Sequence, residues 1–243
     1  MIESLKKALK IYTRKPKPFF MVSLFHLLAQ VLVALAFFGV VFAGIFIVSM
    51  AGLSIEHPAM LILALLATGI YWYLATGFFG AYVKGLDLIT HDHKTDFFGF
   101  YNSGMKHART YFGIFIVKVV LELIFTAPIA IAYFVFLKNV KNIPYLEHIV
   151  VALVFLAMFL ANFVTFFGYF SAATLETGSV ASIKSSFRVV GRRHIFSLIY
   201  YGVLAAVFTT AIIPLLNLLT LFVTLPIVVT GLAIFTEDTL KRQ

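Results

Sequence analysis

The sequence predicts an all-α integral membrane protein with six transmembrane helices. Three observations carry this. The chain is 62% hydrophobic and 12% charged over 243 residues, where a soluble domain has about 45–50% and about 25%. Its mean hydropathy is +1.02, and apolar runs of the roughly 20 residues needed to cross a bilayer recur along it. A basic amphipathic segment followed by two apolar runs repeats. Ser4-Leu5-Lys6-Lys7-Ala8-Leu9-Lys10 aligns with Ser182-Ile183-Lys184-Ser185-Ser186-Phe187-Arg188. A transmembrane barrel would instead alternate over segments of about 10 residues.

The elements follow in order. A basic amphipathic helix is expected over residues 2–15, with cations at Lys6, Lys10 and Arg14. Pro16 and Pro18 disfavour its continuing straight into the membrane. Span 1 covers residues 19–50, longer than a bilayer requires, so it should tilt or overhang. A turn at Glu56-His57-Pro58 leads to span 2, residues 59–83. The polar stretch from Lys84 to Arg109 holds a second interfacial helix over residues 97–109, because Phe98, Tyr101, Met105 and Ala108 keep helical spacing. Span 3 covers residues 110–137 and is kinked by Pro128. After a polar loop at Lys138–His148, span 4 covers residues 149–173. The third interfacial helix takes residues 180–193. The last apolar run turns at Pro214 and Asn217, giving spans 5 (195–213) and 6 (215–235). All of residues 1–243 form one membrane domain of three pseudo-repeats.

A second match supports the repeat: Gly77-Phe78-Phe79-Gly80-Ala81-Tyr82 ends span 2 and Thr165-Phe166-Phe167-Gly168-Tyr169-Phe170 ends span 4. All units enter from one side, so the repeat would be parallel, about an axis along the membrane normal.

With both termini cytoplasmic, the inner segments hold 16 of the 19 Lys and Arg residues, the outer loops hold two (Lys138 and Lys141), and Lys118 lies inside a span. That asymmetry orients the protein and favours the cytoplasmic (inner) membrane. The basic N-terminus runs into a long apolar span, so it reads as a retained anchor rather than a cleaved leader. No cysteine is present, which excludes disulfides and thiolate chemistry. The net charge of +9 sits beside membrane spans, so its expected partner is anionic lipid rather than nucleic acid.

Ionisable residues at membrane depth are costly and point to function. Lys118 and Glu122 lie one turn apart on one face. At 1.5 Å per residue they fall about 12 and about 18 Å from the inner end of span 3. His26 and Gln30 fall at roughly 10 and 16 Å, and Asn162 at roughly 17 Å. With Tyr71 and Tyr73 on span 2, these groups could form one polar layer facing the cytoplasm. The alternative is a neutralised Lys–Glu pair that fixes helix packing. Lys6, Lys10 and Arg14, with Lys184, Arg188, Arg192 and Arg193, form the expected contacts to anionic headgroups, worth about 1 kcal/mol per cation near the surface.

Asp87, His91, Asp92, His93 and Asp96 bring two imidazoles and three carboxylates within ten residues. Their spacing fits no zinc signature, so they read as solvated loop residues. No metal or cofactor is expected. His-Glu-x-x-His, Gly-x-Ser-x-Gly and Walker patterns are absent, so no catalytic residue is assigned and the chain reads as non-enzymatic.

Around Ser179-Val180-Ala181-Ser182-Ile183-Lys184-Ser185-Ser186-Phe187-Arg188-Val189, between a Phe-rich span and the last hairpin, the chain resembles a broad group of uncharacterised six-span bacterial and archaeal membrane proteins. That group includes the membrane domain attached to some glycerophosphodiester phosphodiesterases. The resemblance implies a layout over nearly the whole chain. It implies no activity, because the phosphodiesterase domain has no counterpart in these residues and the group offers no catalytic motif. The expected function is handling or transport of a lipid or anionic small molecule through a cytoplasm-facing polar cavity. The alternative is a structural or accessory subunit of a membrane complex, with homo-oligomers a further expected assembly.

Overall fold

The computed structural model describes residues 2–52, 58–93, 96–137, 145–210 and 214–241. Among the described residues the regular structure is helical throughout. The elements are α1 (Ile2–Arg14), α2 (Pro16–Met50), α3 (Pro58–Thr90), α4 (Phe97–Ala132), α5 (Leu146–Leu175), α6 (Ser179–Arg192), α7 (His194–Thr210), α8 (Pro214–Leu219) and α9 (Leu225–Lys241). Wide turns with the π pattern extend α4 over Tyr133–Leu137 and join α8 to α9 over Thr220–Thr224. The expected turn at Glu56-His57 and most of the loop at Lys138–His148 lie outside the described residues, as do residues 211–213, whereas Pro214 and Asn217, the expected turn of the last hairpin, lie in the short helix α8.

Five helical stretches among the described residues are long and apolar enough to cross a membrane: Pro16–Met50, Met60–Thr90, Phe97–Phe136, Leu146–Leu175 and Asn217–Lys241. The apolar helix α7 is shorter, at 17 residues. The chain is thus an α-helical membrane protein with several spanning helices.

The proline break appears where expected: α1 ends at Arg14, Lys15 caps α2, and Pro16 occupies the first turn of α2. Proline suits that position because its missing N–H would be unpaired there anyway. Two boundaries differ from the sequence reading. First, α3 runs on to Thr90, so Lys84 and Asp87 are helical rather than loop residues. Val83, Leu86 and Ile89 are all buried, and this apolar face carries the helix past the charged positions. Second, residues 97–109 are not a separate interfacial helix but the first turns of an uninterrupted α4. Asp96 caps it by accepting from the Gly99 N–H at 2.6 Å, and no proline or glycine pair breaks it near Arg109. The packed face of these turns is also not the expected one. Phe100, Gly104, Ala108 and Tyr111 are buried, whereas Phe98, Tyr101 and Met105 are exposed.

The core lies between α3, α5 and α9. Tyr82, Leu86, Phe167, Phe170, Val229, Leu232 and Phe235 are buried there. The α9 stretch is the most enclosed of the five, 61% of its most apolar window being buried. Its apolar residues point in all directions, as they do in a helix wrapped by protein. By contrast the far halves of α2 and α4 expose Phe42, Phe46, Leu123 and Ile131.

Each of these three core helices has a glycine where another segment crosses closely. At Gly77 the Gly104 carbonyl and Ala108 of α4 approach; at Gly168 the Ser182 backbone of α6 approaches; at Gly231 the Leu5 side chain of α1 approaches. The amphipathic helices α1 and α6 therefore rest on protein, burying Ser4 and Ala8, and Ser182, Ser186 and Val189. A proline supplies one anchor for α1. Pro226 has no N–H to give to the carbonyl four residues back, at Phe222. The Tyr12 hydroxyl donates to that carbonyl at 3.1 Å.

Candidate functional site

The intramembrane residues singled out in the sequence fall into two groups on different helices. On α4, Lys118 Nζ lies 3.5 Å from Glu122 Oε1. Asn162 Nδ2 of α5 donates to the same oxygen at 2.7 Å. A charge-assisted bond of that length crosses between helices and holds Glu122 toward α5. Lys118 also stands 5.6 Å above the centre of the Phe115 ring.

The second group joins α2 to α3. The His26 ring stacks on Tyr82 with centroids 4.6 Å apart, and the Gln30 amide donates to the Ala75 carbonyl at 3.2 Å. His26 Nδ1 is buried without a hydrogen-bond partner. Tyr71 packs against Phe37 and Trp72, and Tyr73 sets its edge on Phe112 of α4. Rings stand between the two groups: His26 meets Phe79, Phe79 meets Tyr169, and Tyr169 stacks on Tyr111. Trp72, beside Tyr71, also stacks on Phe115, the ring beneath Lys118. The partners of His26 and Gln30 are on α3, and those of Lys118 and Glu122 are on α4 and α5.

The basic helices present their cations outward. Lys6, Lys10, Arg14, Lys184, Arg188 and Arg192 are exposed. Arg192 also donates to the Thr239 carbonyl at 3.3 Å, and half-buried Arg193 lies 5.8 Å from the centre of the Phe235 ring. Both arginines therefore hold α6 against α9 as well as facing solvent.

Beneath these helices, at the ends of α3, α5 and α9, is a charge cluster that sequence reasoning missed. Lys84 Nζ lies 3.1 Å from Glu176 Oε1 and 3.6 Å from Asp87 Oδ2. His91 Nδ1 lies 3.7 Å from Asp87 Oδ1. Glu237, paired with Lys241 one turn on, completes a group with Asp87 and His91. Asp87, read in the sequence as a solvated loop residue, is buried on α3. The sequence places its loop neighbours together, but Glu176 and Glu237 arrive from two other helices. Glu176 follows the end of α5 in a left-handed conformation, φ 52°. The Lys84 ammonium beside it holds its carboxyl below the ordinary value. The bond to Lys15 likewise holds the Asp92 carboxyl down.

A cavity opens at the same end, between the starts of α2 and α4. It has a volume of about 680 Å³ and is lined by Lys15, Lys17, Met21, Phe25, His93 and Phe97 among others. A second cavity of about 440 Å³ shares Phe97 and continues along α2 past Ala29, Val33 and Ala36. The floor residues Met21, Phe25, Ala29 and Val33 recur every four residues and form one stripe down α2. The two cavities adjoin at Phe97 and make a groove with an apolar floor and a charged mouth, where Lys15 and Lys17 stand with Asp92 and Asp96.

Comparison of the chain with models of protein families, with curated proteins and with solved structures returns no match. The fold itself defines the class, an α-helical membrane protein.

Proposed function

We propose that the protein is a non-enzymatic, six-span membrane protein that handles or transports a lipid or anionic small molecule from the cytoplasmic face. The single observation that carries this is the groove along α2. Its mouth holds Lys15 and Lys17 together with Asp92 and Asp96, the latter occupied in capping α4, and its floor is apolar for the length of two adjoining cavities. Amphiphiles with an anionic head match that order of surfaces. Lys15 is engaged by Asp92, so Lys17 is the cation available to a headgroup. The excess of Lys and Arg on one side, 16 against two, supports both termini facing the cytoplasm of an inner membrane. The close crossings at Gly77, Gly168 and Gly231 support three pseudo-repeated units closed into a ring, with α1 meeting α9.

The test is mass spectrometry of lipid retained by the purified protein, with Lys17→Glu beside the unaltered chain. Retention of an anionic phospholipid that the substitution abolishes is the expected result. Equal retention by both proteins, or none by either, refutes the reading. A second reading, an accessory subunit of a membrane complex, is favoured by the open small-residue positions. A side chain at Gly39 or Gly69 would meet no atom within 4 Å, and such surfaces suit helix association. Extraction of native membranes as a stable hetero-complex would favour it over the first.

A further inference from the structure

We propose that Asp87, His91 and Glu237 form a binding site for a divalent first-row transition ion, with Zn²⁺ the best match, between the last turn of α3 and the end of α9. This is independent of the lipid reading. One ligand atom from each of the three residues lies within 4.8 Å of the other two. Tetrahedral zinc with bonds of about 2.0–2.2 Å needs its ligands about 3.4 Å apart. Binding would require the side chains to rotate toward one another.

The surroundings give the ion a reason to bind. Asp87 is 7% exposed, and Lys84 Nζ and His91 Nδ1 stand 3.6 and 3.7 Å from its carboxylate oxygens. A carboxylate removed from water is costly unless it is paired, and one that shares its lysine with a second carboxylate keeps acceptor sites open. Lys84 divides its ammonium between Asp87 and Glu176, with the shorter contact to Glu176. Lys241 bonds one oxygen of Glu237, and a carboxylate has acceptor sites to spare on the other. Asp87, Glu176 and Glu237 gather around Lys84 and Lys241, with Lys106 also acting on Glu176, and a bound cation would add to the charges that balance Asp87 and Glu237.

His91 is set up as a ligand. Its Nδ1 lies 3.0 Å from the Asp87 backbone carbonyl oxygen. A proton donated there leaves Nε2 as the basic nitrogen, the outer-shell arrangement usual for metal-bound imidazoles; because Nδ1 is the nitrogen that stands 3.7 Å from Asp87 Oδ1, the exposed ring must turn to bring Nε2 to the ion. An imidazole with two carboxylates suits zinc better than magnesium, which prefers oxygen ligands alone. The His91 side chain is half exposed, so the fourth position faces water and the ion can exchange.

The experiment uses the full chain in detergent, stripped of metal with a chelator. Zn²⁺ alone is titrated by calorimetry, and Co²⁺ substitution is followed by visible absorption. One ion per chain is expected. His91→Ala, at an exposed position that leaves the fold intact, should weaken binding by on the order of 100-fold. Glu237→Gln should weaken it too, and His148→Ala, at the far end of α5, should leave it unchanged. Absence of saturable Zn²⁺ binding overturns the proposal. So does binding that neither His91→Ala nor Glu237→Gln weakens, or that His148→Ala weakens equally.

Discussion

Replacing Gly77 with alanine tests whether the α3–α4 crossing holds the bundle together. The added methyl would stand 2.8 Å from Ala108 Cβ, 2.9 Å from the Gly104 carbonyl oxygen and 3.1 Å from Ala108 Cα. Non-bonded carbons settle about 3.5–4.0 Å apart, so the two helices must separate by about 1 Å. Two of the three obstructing atoms are backbone, so no rotamer change relieves the clash. Overpacking of this kind costs about 1–3 kcal/mol. Gly69 is the internal control. It lies about two turns earlier on the same helix, and an added methyl there meets no atom within 4 Å. Both variants gain the same helix propensity, up to about 1 kcal/mol, so it cancels in their difference. Gly77→Ala should therefore be about 1–3 kcal/mol less stable than Gly69→Ala. Reversible unfolding in mixed micelles with increasing SDS measures this directly. If the two variants agree within about 0.5 kcal/mol, the crossing is not the tight contact the coordinates describe.

Other outcomes follow from single contacts. Asn162→Ala removes the donor to Glu122 and should cost about 0.6–1.7 kcal/mol in the same unfolding assay, the range for hydrogen bonds between membrane helices; no change would mean that Glu122 finds another donor. Tyr12→Phe leaves the Phe222 carbonyl without its donor and should cost about 0.5–1.5 kcal/mol, while proteolysis near residue 15 should quicken as α1 loosens. The Lys84 ammonium holds the Glu176 carboxyl below its ordinary value of 4.5. A depressed carboxylate stabilises the fold fully above that ordinary value and loses the effect as pH falls through the folded one. Stability should therefore be level near neutrality and decline below about pH 5, and Lys84→Met should flatten that decline. A decline of the same slope in Lys84→Met would assign it to other carboxylates.

Much of the architecture was legible because it depends on local composition and spacing. Apolar run length marks spanning helices wherever they pack. Pro16 and Pro18 break the chain by covalent geometry, and the Lys6, Lys10, Arg14 stripe needs only helical periodicity. Legibility failed where two readings share one local pattern. Phe98, Tyr101 and Met105 repeat helically, and so do Phe100, Gly104 and Ala108. Only the approach of α3, with Gly77 admitting the Gly104 carbonyl, decides that the small-residue face is packed. The partners within the polar layer were not legible for a related reason. Depth along a span is readable from the sequence, but azimuth about the bundle is not. His26 and Glu122 fall at comparable depth yet find partners on different helices.

By itself the sequence determined that the chain is helical and membrane-bound, where its first helix ends, and which helices carry cations. Hydropathy, proline geometry and helical period act over a few neighbouring residues, so no knowledge of packing was needed. The tertiary structure alone decided that Glu176 and Glu237 stand beside Lys84 and Asp87, that Pro226 frees a carbonyl for Tyr12, and that a groove opens along α2. Each joins segments far apart in the chain. Which of them meet is set by close packing at glycines such as Gly77, Gly168 and Gly231, where the absence of a side chain lets another segment approach.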